Sequence, residues 1–100
     1  MRIIKRGVLA AFWTAHPETE ASLEHWLRVA EHANWRSGSE VTATFPKAKA
    51  LNAERVRFEV AGGNYRLVVA FRYDLRIGWI KFLGTHAEYD RVDALTVSQF

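Results

Sequence analysis

The first third of the chain carries apolar residues at helical spacing. From Gly7 to Ala15 the apolar side chains recur three and four positions apart, which predicts a short helix that ends before Pro17. Pro17 suits the first turn of a second helix, and the same spacing extends that helix to Asn34. The two stripes consist of Leu9, Phe12, Trp13, His16, Leu23, Trp26, Leu27, Ala30 and Ala33. We expect the two helices to form an antiparallel pair.

A capping signal marks the start of a third helix. Ser37 stands three residues before Glu40, the spacing at which a serine side chain accepts from the amide of the third helical residue while the glutamate reaches back. The segment therefore predicts a short helix from Ser37 to about Phe45, ended by Pro46.

The second half of the chain changes to the alternation of β-strands. Residues 55–60 alternate strictly between polar and apolar, and Gly62-Gly63 supplies the positive backbone angles of a tight hairpin turn. Residues 64–73 and 77–84 are rich in β-branched and aromatic residues and are joined around Asp74-Leu75-Arg76. The pattern predicts a three-stranded antiparallel meander.

Two further segments complete the predicted fold. Arg2-Ile3-Ile4 is suited to an additional edge strand, and Thr85 with Glu88 forms a second capping box that begins a short helix after the last strand. We therefore expect an α+β fold in which N-terminal helices pack on one face of a three- to four-stranded antiparallel sheet, with a short C-terminal helix. The length predicts a single domain over residues 1–100.

The glycine turn sets the register of the hairpin. It predicts three cross-strand pairs, which are Glu59 with Arg66, Arg57 with Val68 and Arg55 with Ala70. A turn at Asp74-Leu75 would place Arg72 opposite Ile77 and Val68 opposite Lys81, but a change of one residue in that loop would exchange the faces of the last strand.

This register separates an apolar face from a basic one. The predicted core face comprises Val56, Phe58, Val60, Tyr65, Leu67, Val69, Phe71, Ile80 and Phe82. The other face would carry Arg55, Arg57, Glu59, Arg66, Arg72, Trp79 and Lys81, a combination of cations and aromatic rings that suits an RNA backbone and its bases. The alternative role for Arg66 is a cross-strand ion pair with Glu59.

Charge and composition narrow the class of partner. The chain has a net charge of +3, and residues 36–81 contain nine Lys or Arg against four acids. A polyanionic partner, either nucleic acid or an acidic protein, fits this excess, and a solvated basic surface is the alternative. With no cysteine the chain has no disulfide, thiol nucleophile or zinc-thiolate site, and with no long apolar run or secretory leader we expect a cytoplasmic protein.

Groups with acid-base chemistry cluster after the last predicted strand. His86 falls in the first turn of the short helix, with Tyr89 three and Asp90 four residues further on, so the three side chains project from neighbouring positions. No glycine-rich phosphate loop, nucleophile elbow or zinc-protease motif is present. His25 and His32 lie seven apart on one helix but lack a third ligand, so we predict no metal site.

At these residues the chain resembles the HigB-type toxins of bacterial toxin-antitoxin systems, within the RelE-like mRNA interferases. The resemblance runs through Arg2-Ile3-Ile4, Phe12-Trp13, His16-Pro17, Asn34-Trp35, Phe45-Pro46, Gly63-Asn64-Tyr65-Arg66-Leu67 and, most specifically, the block from Phe82 to Asp90. It implies a RelE-like toxin whose basic sheet face enters the ribosomal A site and cuts the mRNA there. It also implies neutralisation by a HigA-like antitoxin with a helix-turn-helix domain.

Metal-independent RNA cleavage needs a base, cations and an acid, and the chain offers all three. RNA's own 2′-hydroxyl attacks the adjacent phosphate in this chemistry, so no metal or cofactor is required. We expect His86 to protonate the leaving oxygen and Arg66, with Lys81 or Arg57, to stabilise the phosphorane. Tyr89 would stack on a base or donate a hydrogen bond, while Glu88 or Asp90 would act as the base or orient His86. Further RNA contacts are expected from Arg55, Lys47, Lys49, Arg72 and Trp79.

Two other functions remain open on the sequence. A basic module without chemistry, binding RNA or a protein partner, would use the arginines and leave the histidine cluster idle. A degenerate toxin would keep only the fold and its antitoxin.

Overall fold

The chain forms one five-stranded sheet and four α-helices. The computed structural model describes residues 1–100. In order, the chain forms β1 (Arg2–Ile4), α1 (Gly7–Ala15), a 3-10 turn (Pro17–Thr19), α2 (Glu20–His32), α3 (Gly38–Thr44), β2 (Lys49–Ala50), β3 (Arg55–Val60), β4 (Tyr65–Arg72), β5 (Ile77–Thr85) and α4 (His86–Tyr89). No helix in the structure combines the length and the hydrophobicity that a membrane crossing requires.

The sheet has five strands and is mixed. Its order is β1-β5-β4-β3-β2, with the predicted meander β3-β4-β5 at the centre. The predicted edge strand β1 forms, but it runs parallel to β5, and the two-residue strand β2 pairs antiparallel with β3. The prediction of a three- to four-stranded antiparallel sheet is therefore wrong in strand number and direction. A strand of two residues is too short to show alternation, and the direction of β1 depends on contacts about 75 residues away.

The glycine turn sets the predicted register, but the connection is a four-residue loop, 61–64, with a 3-10 turn over Ala61–Gly63, rather than a two-residue turn. Gly62 and Gly63 have φ values of 70° and 94°, and the pairs Glu59 with Arg66, Arg57 with Val68 and Arg55 with Ala70 all form. Ala61 also lies in the left-handed region, with φ 52°, and Asn64 N donates to Ala61 O to close the turn. The register of β3 and β4 is confirmed.

A bulge in β5 corrects the register predicted for the last strand. Arg72 faces Ile77 as expected, but Val68 faces Phe82 rather than Lys81, because β5 has one extra residue between the partners of Val68 and Val69. Phe82 is therefore not a core-face residue. It shares the face of Val68, while Ile80 and Leu83 both belong to the core.

The helices cover one face of the sheet, which we call the inner face. Leu9 of α1 and Leu23, Trp26, Leu27 and Ala30 of α2 join one buried cluster with Val56, Phe58, Val60, Leu67, Val69, Phe71, Ile80 and Leu83. Trp26 meets Phe58 edge to face at 5.2 Å between ring centroids. The predicted helices form, although α2 ends at His32 because Ala33 is already extended. The periodic pattern thus located both helices and the face that they bury.

The cap of α3 differs from the prediction in one bond. Ser37 Oγ accepts from Glu40 N at 3.4 Å, as expected. The Glu40 side chain, however, accepts from Arg36 N at 3.0 Å rather than from the amide of Ser37.

Residues 91–100, which we call the C-terminal segment, fold back over the opposite or outer face. Arg55 Nη1 donates to Ala94 O at 3.1 Å and to Val97 O at 2.7 Å. β1 pairs with β5 only as far as Trp79, and next to that point Gln99 N donates to Lys81 O at 2.9 Å. Val68 and Phe82 are buried although they lie on the outer face. The centre of the outer face is therefore closed rather than an open basic surface.

Candidate functional site

The last strand delivers His86 to the end of the sheet at which the glycine turn lies. Thr85 Oγ1 accepts from Glu88 N at 3.1 Å, and Glu88 Oε1 accepts from Thr85 N at 2.8 Å, so the predicted capping box is complete. His86 N donates to Asn64 O at 3.0 Å. These bonds attach α4 both to β5 and to the loop before β4, so the position of His86 is fixed by backbone on two sides.

Asp90 holds one side of the His86 ring. His86 Nδ1 lies 3.0 Å from Asp90 Oδ2, and both side chains are more than half exposed. Because a carboxylate only accepts hydrogen bonds, this contact selects a ring with a proton on Nδ1. The other ring nitrogen, Nε2, has no partner within the protein. An oriented imidazole with one nitrogen free can exchange a proton with a bound ligand.

Glu88 serves the helix cap. The backbone N–H of Thr85 holds the pKa of the Glu88 carboxyl below its ordinary value, with the Thr85 hydroxyl adding to the effect. Hydrogen bonding to the charged form makes Glu88 a weaker base. Of the two carboxylates predicted to act beside His86, Asp90 is thus the one that contacts the imidazole.

Arg66 is buried and has no carboxylate partner. Its side chain is 8% exposed on the outer face, and Nη1 donates to Gly63 O and, at 3.4 Å, to Tyr65 O. Its Nε is buried without a partner. Buried charges in proteins are normally paired, so the Arg66 guanidinium offers an uncompensated positive charge that an anion would complete.

The alternative pairing of Arg66 with Glu59 does not form. Glu59 Oε2 instead lies 3.7 Å from Nη2 of Arg57, two residues away on the same strand. Both groups nevertheless lie beside Gly63, since a Cβ placed there would be 3.1 Å from Glu59 Oε1 and 3.4 Å from Arg66 Nη1. Arg66 bends toward the glycine turn, and His86 is bonded to the next residue of that loop, so the structure brings both to one end of the sheet.

Tyr89 lies on α4 at this end, whereas Lys81 lies in the middle of β5. Tyr89 is half-buried, and its ring packs against Phe82 with 6.0 Å between centroids. Lys81 is the extra residue of the β5 bulge and is half-buried. Because a bulge redirects side chains locally, alternation could not predict the surroundings of this lysine.

The other predicted RNA contacts are dispersed. Arg55 is held by carbonyl oxygens of the C-terminal segment, and Arg72 forms an exposed ion pair with Asp74 at 2.9 Å. Trp79 is half-buried opposite Ala70. These three are not assembled with His86 into one open surface.

The three cations on the β2 side remain closer to the glycine turn. Lys47 and Lys49 are exposed. Arg57 Nη2 donates to Lys47 O at 3.2 Å, which ties the β2 approach to β3. The two lysines of this part of the basic surface are accessible, whereas the Arg57 side chain is 19% exposed.

A group of residues that the sequence did not single out supports the same end of the sheet from the inner side. Tyr65 OH donates to Glu18 Oε2, which lowers the pKa of Glu18 and raises the pKa of Tyr65. His16 Nδ1 lies 4.0 Å from Glu18 Oε2, and its ring stacks on Phe12 at 4.3 Å. Tyr65 and Glu18 are 47 residues apart, so no spacing rule reveals the pair.

No group of three His, Asp or Glu side chains in the structure is arranged to hold a metal ion. His25 and His32 lie on α2 as predicted, but no third ligand joins them.

Comparison with known proteins gives one family. A family model described as HigB toxin, the RelE-like toxic component of a toxin-antitoxin system, matches residues 19–92. No curated protein matches the chain. The matched region runs from the turn before α2 through α4 and contains Arg66, His86 and Asp90. With the match covering well over half of its length, the chain belongs to the HigB toxin family and is the toxic component of a toxin-antitoxin system.

Proposed function

We propose that the protein is a ribosome-dependent mRNA endoribonuclease that cuts translated mRNA in the A site and so inhibits translation. The observation that carries the proposal is the placement of His86, oriented by Asp90 with Nε2 free, at the same end of the sheet as the buried and unpaired Arg66 guanidinium. Family membership supports it, because the toxic component of such a system acts on a cellular target and is held inactive by a partner.

The cleavage follows from the chemistry of RNA. The 2′-hydroxyl oxygen attacks the adjacent phosphorus and the bond from phosphorus to the 5′-oxygen breaks, leaving a 2′,3′-cyclic phosphate and a 5′-hydroxyl. Protonated His86 gives its Nε2 proton to the leaving 5′-oxygen. Asp90 accepts a hydrogen bond from His86 Nδ1–H throughout. The imidazole is therefore neutral and still correctly oriented after it has given up the Nε2 proton.

Charge on the phosphorane is stabilised by cations. Arg66 is set in place by carbonyl oxygens before the substrate arrives, so little reorganisation accompanies the reaction. Lys81 and Arg57 supply further positive charge, and Tyr89 stacks on a base or donates a hydrogen bond. The 2′-hydroxyl proton passes to a carboxylate. Glu88 and Asp90 are the two carboxylates offered for this step: the cap lowers the pKa of Glu88 and so weakens it as a base, whereas Asp90 already accepts the hydrogen bond of His86 Nδ1.

The RNA-binding surface around the site is smaller than the whole outer face, because the centre of that face is closed. Lys47, Lys49 and Arg57 carry the phosphate contacts near the site, with Trp79, Arg72 and Arg55 contributing at its margin. The antitoxin partner that the family implies is proposed to be HigA-like, with a helix-turn-helix domain. Dependence on ribosomes places the activity in the cytoplasm.

Cleavage on programmed ribosomes tests this function. Wild-type protein and His86→Gln are incubated with ribosomes paused on a defined codon, new 5′ ends are mapped, and ribosome-free RNA is the control. We expect cuts confined to the A-site codon and a loss of roughly 10²–10⁴-fold in His86→Gln, since that is the usual contribution of a general acid. Full activity in His86→Gln would contradict the role of the histidine.

The same assay separates the alternatives. Equal cutting of free RNA would contradict ribosome dependence. If neither folded protein cuts but both bind RNA, the protein is a non-catalytic basic module or a degenerate toxin. Asp90→Asn and Glu88→Gln, measured in parallel, identify which carboxylate supports the reaction.

A further inference from the structure

A cleft beside the glycine turn has no part in the proposed mechanism. It has a volume of about 370 Å³ and lies between α2, the loop before β2 and the C-terminal end of β3. Its lining includes Trp26, Phe45, Lys47, Phe58, Glu59 and Gly63. The volume falls in the range that small ligands occupy in proteins, and the mixture of aromatic and charged groups is typical of such sites.

The walls of the cleft are aromatic rings. Phe45 and Phe58 meet edge to face at 5.4 Å, and Phe58 meets Trp26 in the same way at 5.2 Å. His25 lies against Phe45 at 6.3 Å. Trp26 and Phe58 are 3% and 2% exposed, so half-buried Phe45 is the ring that offers a surface to a flat unsaturated ligand, as aromatic rings do in proteins that bind unstacked bases of single-stranded RNA.

Two polar groups of the lining have unused capacity. Trp26 is 3% exposed, and its indole N–H has no acceptor in the protein. Glu59 has only the long contact with Arg57 at 3.7 Å. Glu59 is the group of this pair that a ligand can reach; an aliphatic side chain from a protein partner would leave its carboxylate unsatisfied, whereas a nucleobase presents N–H donors on the edge of a flat ring.

The cleft adjoins the proposed phosphate site. Gly63 lines the cleft and also lies against the Arg66 guanidinium, because its missing Cβ would be 3.4 Å from Arg66 Nη1 and 3.1 Å from Glu59 Oε1. Lys47 at the margin is exposed and adds positive charge. A nucleotide with its phosphate on Arg66 therefore has its own base, or that of its neighbour, within reach of the cleft.

We propose that this cleft receives one unstacked nucleobase of the RNA, next to the phosphate held by Arg66, and that it favours guanine. The base stacks on Phe45, and its paired N–H donors go to the Glu59 carboxylate. Guanine is the base whose Watson–Crick edge presents two adjacent N–H donors to one carboxylate. The inference rests on the proposed function and extends it to the recognition of a base beside the cut.

Mononucleotide binding tests the cleft without relying on cleavage. The indole N–H resonance of Trp26 in the wild-type protein is followed by NMR during titration with GMP, AMP and ribose 5-phosphate at millimolar concentrations. Trp35 is the internal reference, because its indole N–H is already bonded to Thr44 Oγ1 at 3.0 Å. We expect GMP to shift the Trp26 resonance and to bind roughly tenfold more tightly than AMP, as one well-placed pair of hydrogen bonds allows. Ribose 5-phosphate should leave the resonance in place.

Two variants sharpen the test. Glu59→Gln keeps the shape of the side chain but offers one acceptor instead of two, so the preference for GMP should fall to near equality. Ala48→Leu narrows the cleft and should weaken every nucleotide, whereas Ala53→Leu, an exposed residue outside the cleft, should not. If Ala48→Leu perturbs folding, Glu59→Gln still tests the preference for GMP over AMP.

The outcomes distinguish this inference from the proposed function. Cleavage by the wild type without any GMP-dependent shift of Trp26 overturns the cleft and leaves the nuclease standing. A GMP-specific shift in a protein that never cuts supports the nucleobase site and rejects the nuclease. If the cognate antitoxin shifts Trp26 while no nucleotide does, the cleft is a protein-binding site and the inference is wrong.

Discussion

Arg66 and Arg72 lie six residues apart on the same face of β4, yet they present different charges to a ligand. Arg72 is exposed and donates twice to Asp74, from Nε at 3.1 Å and from Nη2 at 2.9 Å, so its charge is neutralised locally. Arg66 is 8% exposed, donates only to carbonyl oxygens and has no carboxylate partner. A count of arginines along a strand therefore overstates the positive charge that the sheet offers.

The two ends of the sheet differ in the same way. At the glycine-turn end, meaning Gly62-Gly63, Arg66 and α4, groups are fixed by backbone and retain unused bonding capacity. At the opposite end, the aspartate-turn end around Asp74, the charged groups Arg72 and Asp74 neutralise one another, and the group without a partner is the uncharged, buried Tyr73 hydroxyl. Sites that bind or react need the first arrangement, because their groups are oriented in advance and still free to bind a ligand.

The largest expected contrast is between Arg66→Gln and Arg72→Gln. Cleavage on programmed ribosomes should fall roughly 10²–10³-fold for Arg66→Gln, the usual cost of removing one donor from a transition-state site. Arg72→Gln should stay within about threefold, since Arg72 lies at the margin of the RNA surface and Asp74 already neutralises its charge. Single-turnover rates measure both, with thermal melting as the control for folding. Equal losses of cleavage rate in the two variants would show that the unpaired Arg66 has no special role.

Alanine at two glycines should separate function from stability. A Cβ at Gly78 would lie 2.9 Å from Phe71 Cε1 and 3.1 Å from Val69 Cγ1, so Gly78→Ala overpacks the core and should cost about 1–3 kcal/mol. At Gly63 the φ of 94° disfavours alanine by about 1–2 kcal/mol, and the new methyl group displaces the ends of Glu59 and Arg66.

Urea unfolding and cleavage rates together check these two variants. We expect Gly78→Ala to be the less stable protein and Gly63→Ala to lose more activity at a temperature where both remain folded. The reverse order would show that the glycine turn is only structural.

The two helix caps provide a smaller contrast. Thr85→Ala and Ser37→Ala each remove a side chain that accepts from a helical amide, at 3.1 Å and 3.4 Å respectively. Each loss should cost about 0.5–2 kcal/mol in denaturant unfolding. Only Thr85→Ala should also lower the cleavage rate, because α4 carries His86. A matched loss of activity in Ser37→Ala would mean that reduced stability alone explains both.

A smaller effect is expected in how salt changes the pKa values of two carboxyl groups, Asp74 and Glu88. Arg72 lowers the pKa of Asp74, chiefly through its hydrogen bonds, and the Thr85 amide lowers the pKa of Glu88. Each group therefore stabilises the fold above its unfolded-state pKa, and this contribution is lost as the pH falls through the folded-state value. High salt should move the pKa of exposed Asp74, whose partner is charged, further back toward its ordinary value than that of Glu88, whose main partners are the uncharged amide and hydroxyl of Thr85.

NMR titration of the side-chain carboxyl resonances at low and high salt measures this difference. Parallel shifts of Asp74 and Glu88 would indicate that charge, rather than the backbone cap, sets the pKa of Glu88.

Local patterns predicted most of the elements and one half of the candidate site. The capping box placed His86 at the start of α4, and the four-residue separation from Asp90 became a contact of 3.0 Å. The open basic face was predicted less well, because the C-terminal segment has no periodicity that would reveal where it docks. Its carbonyl oxygens bind Arg55, and residues on the outer face beneath it are buried.

Contacts between residues within about four positions of each other, or across a short turn, follow from local sequence. The positive φ values at Gly62 and Gly63 set the pairing of Glu59 with Arg66, and the turn of α4 set the approach of Asp90 to His86. Three features arise only when the whole chain packs. They are the parallel pairing of β1 with β5, the bulge that moves Phe82 to the outer face, and the absence of a carboxylate partner for Arg66. Backbone geometry limits the first group to a few conformations, whereas the second group results from competition among residues that are distant in sequence and meet only when the chain packs.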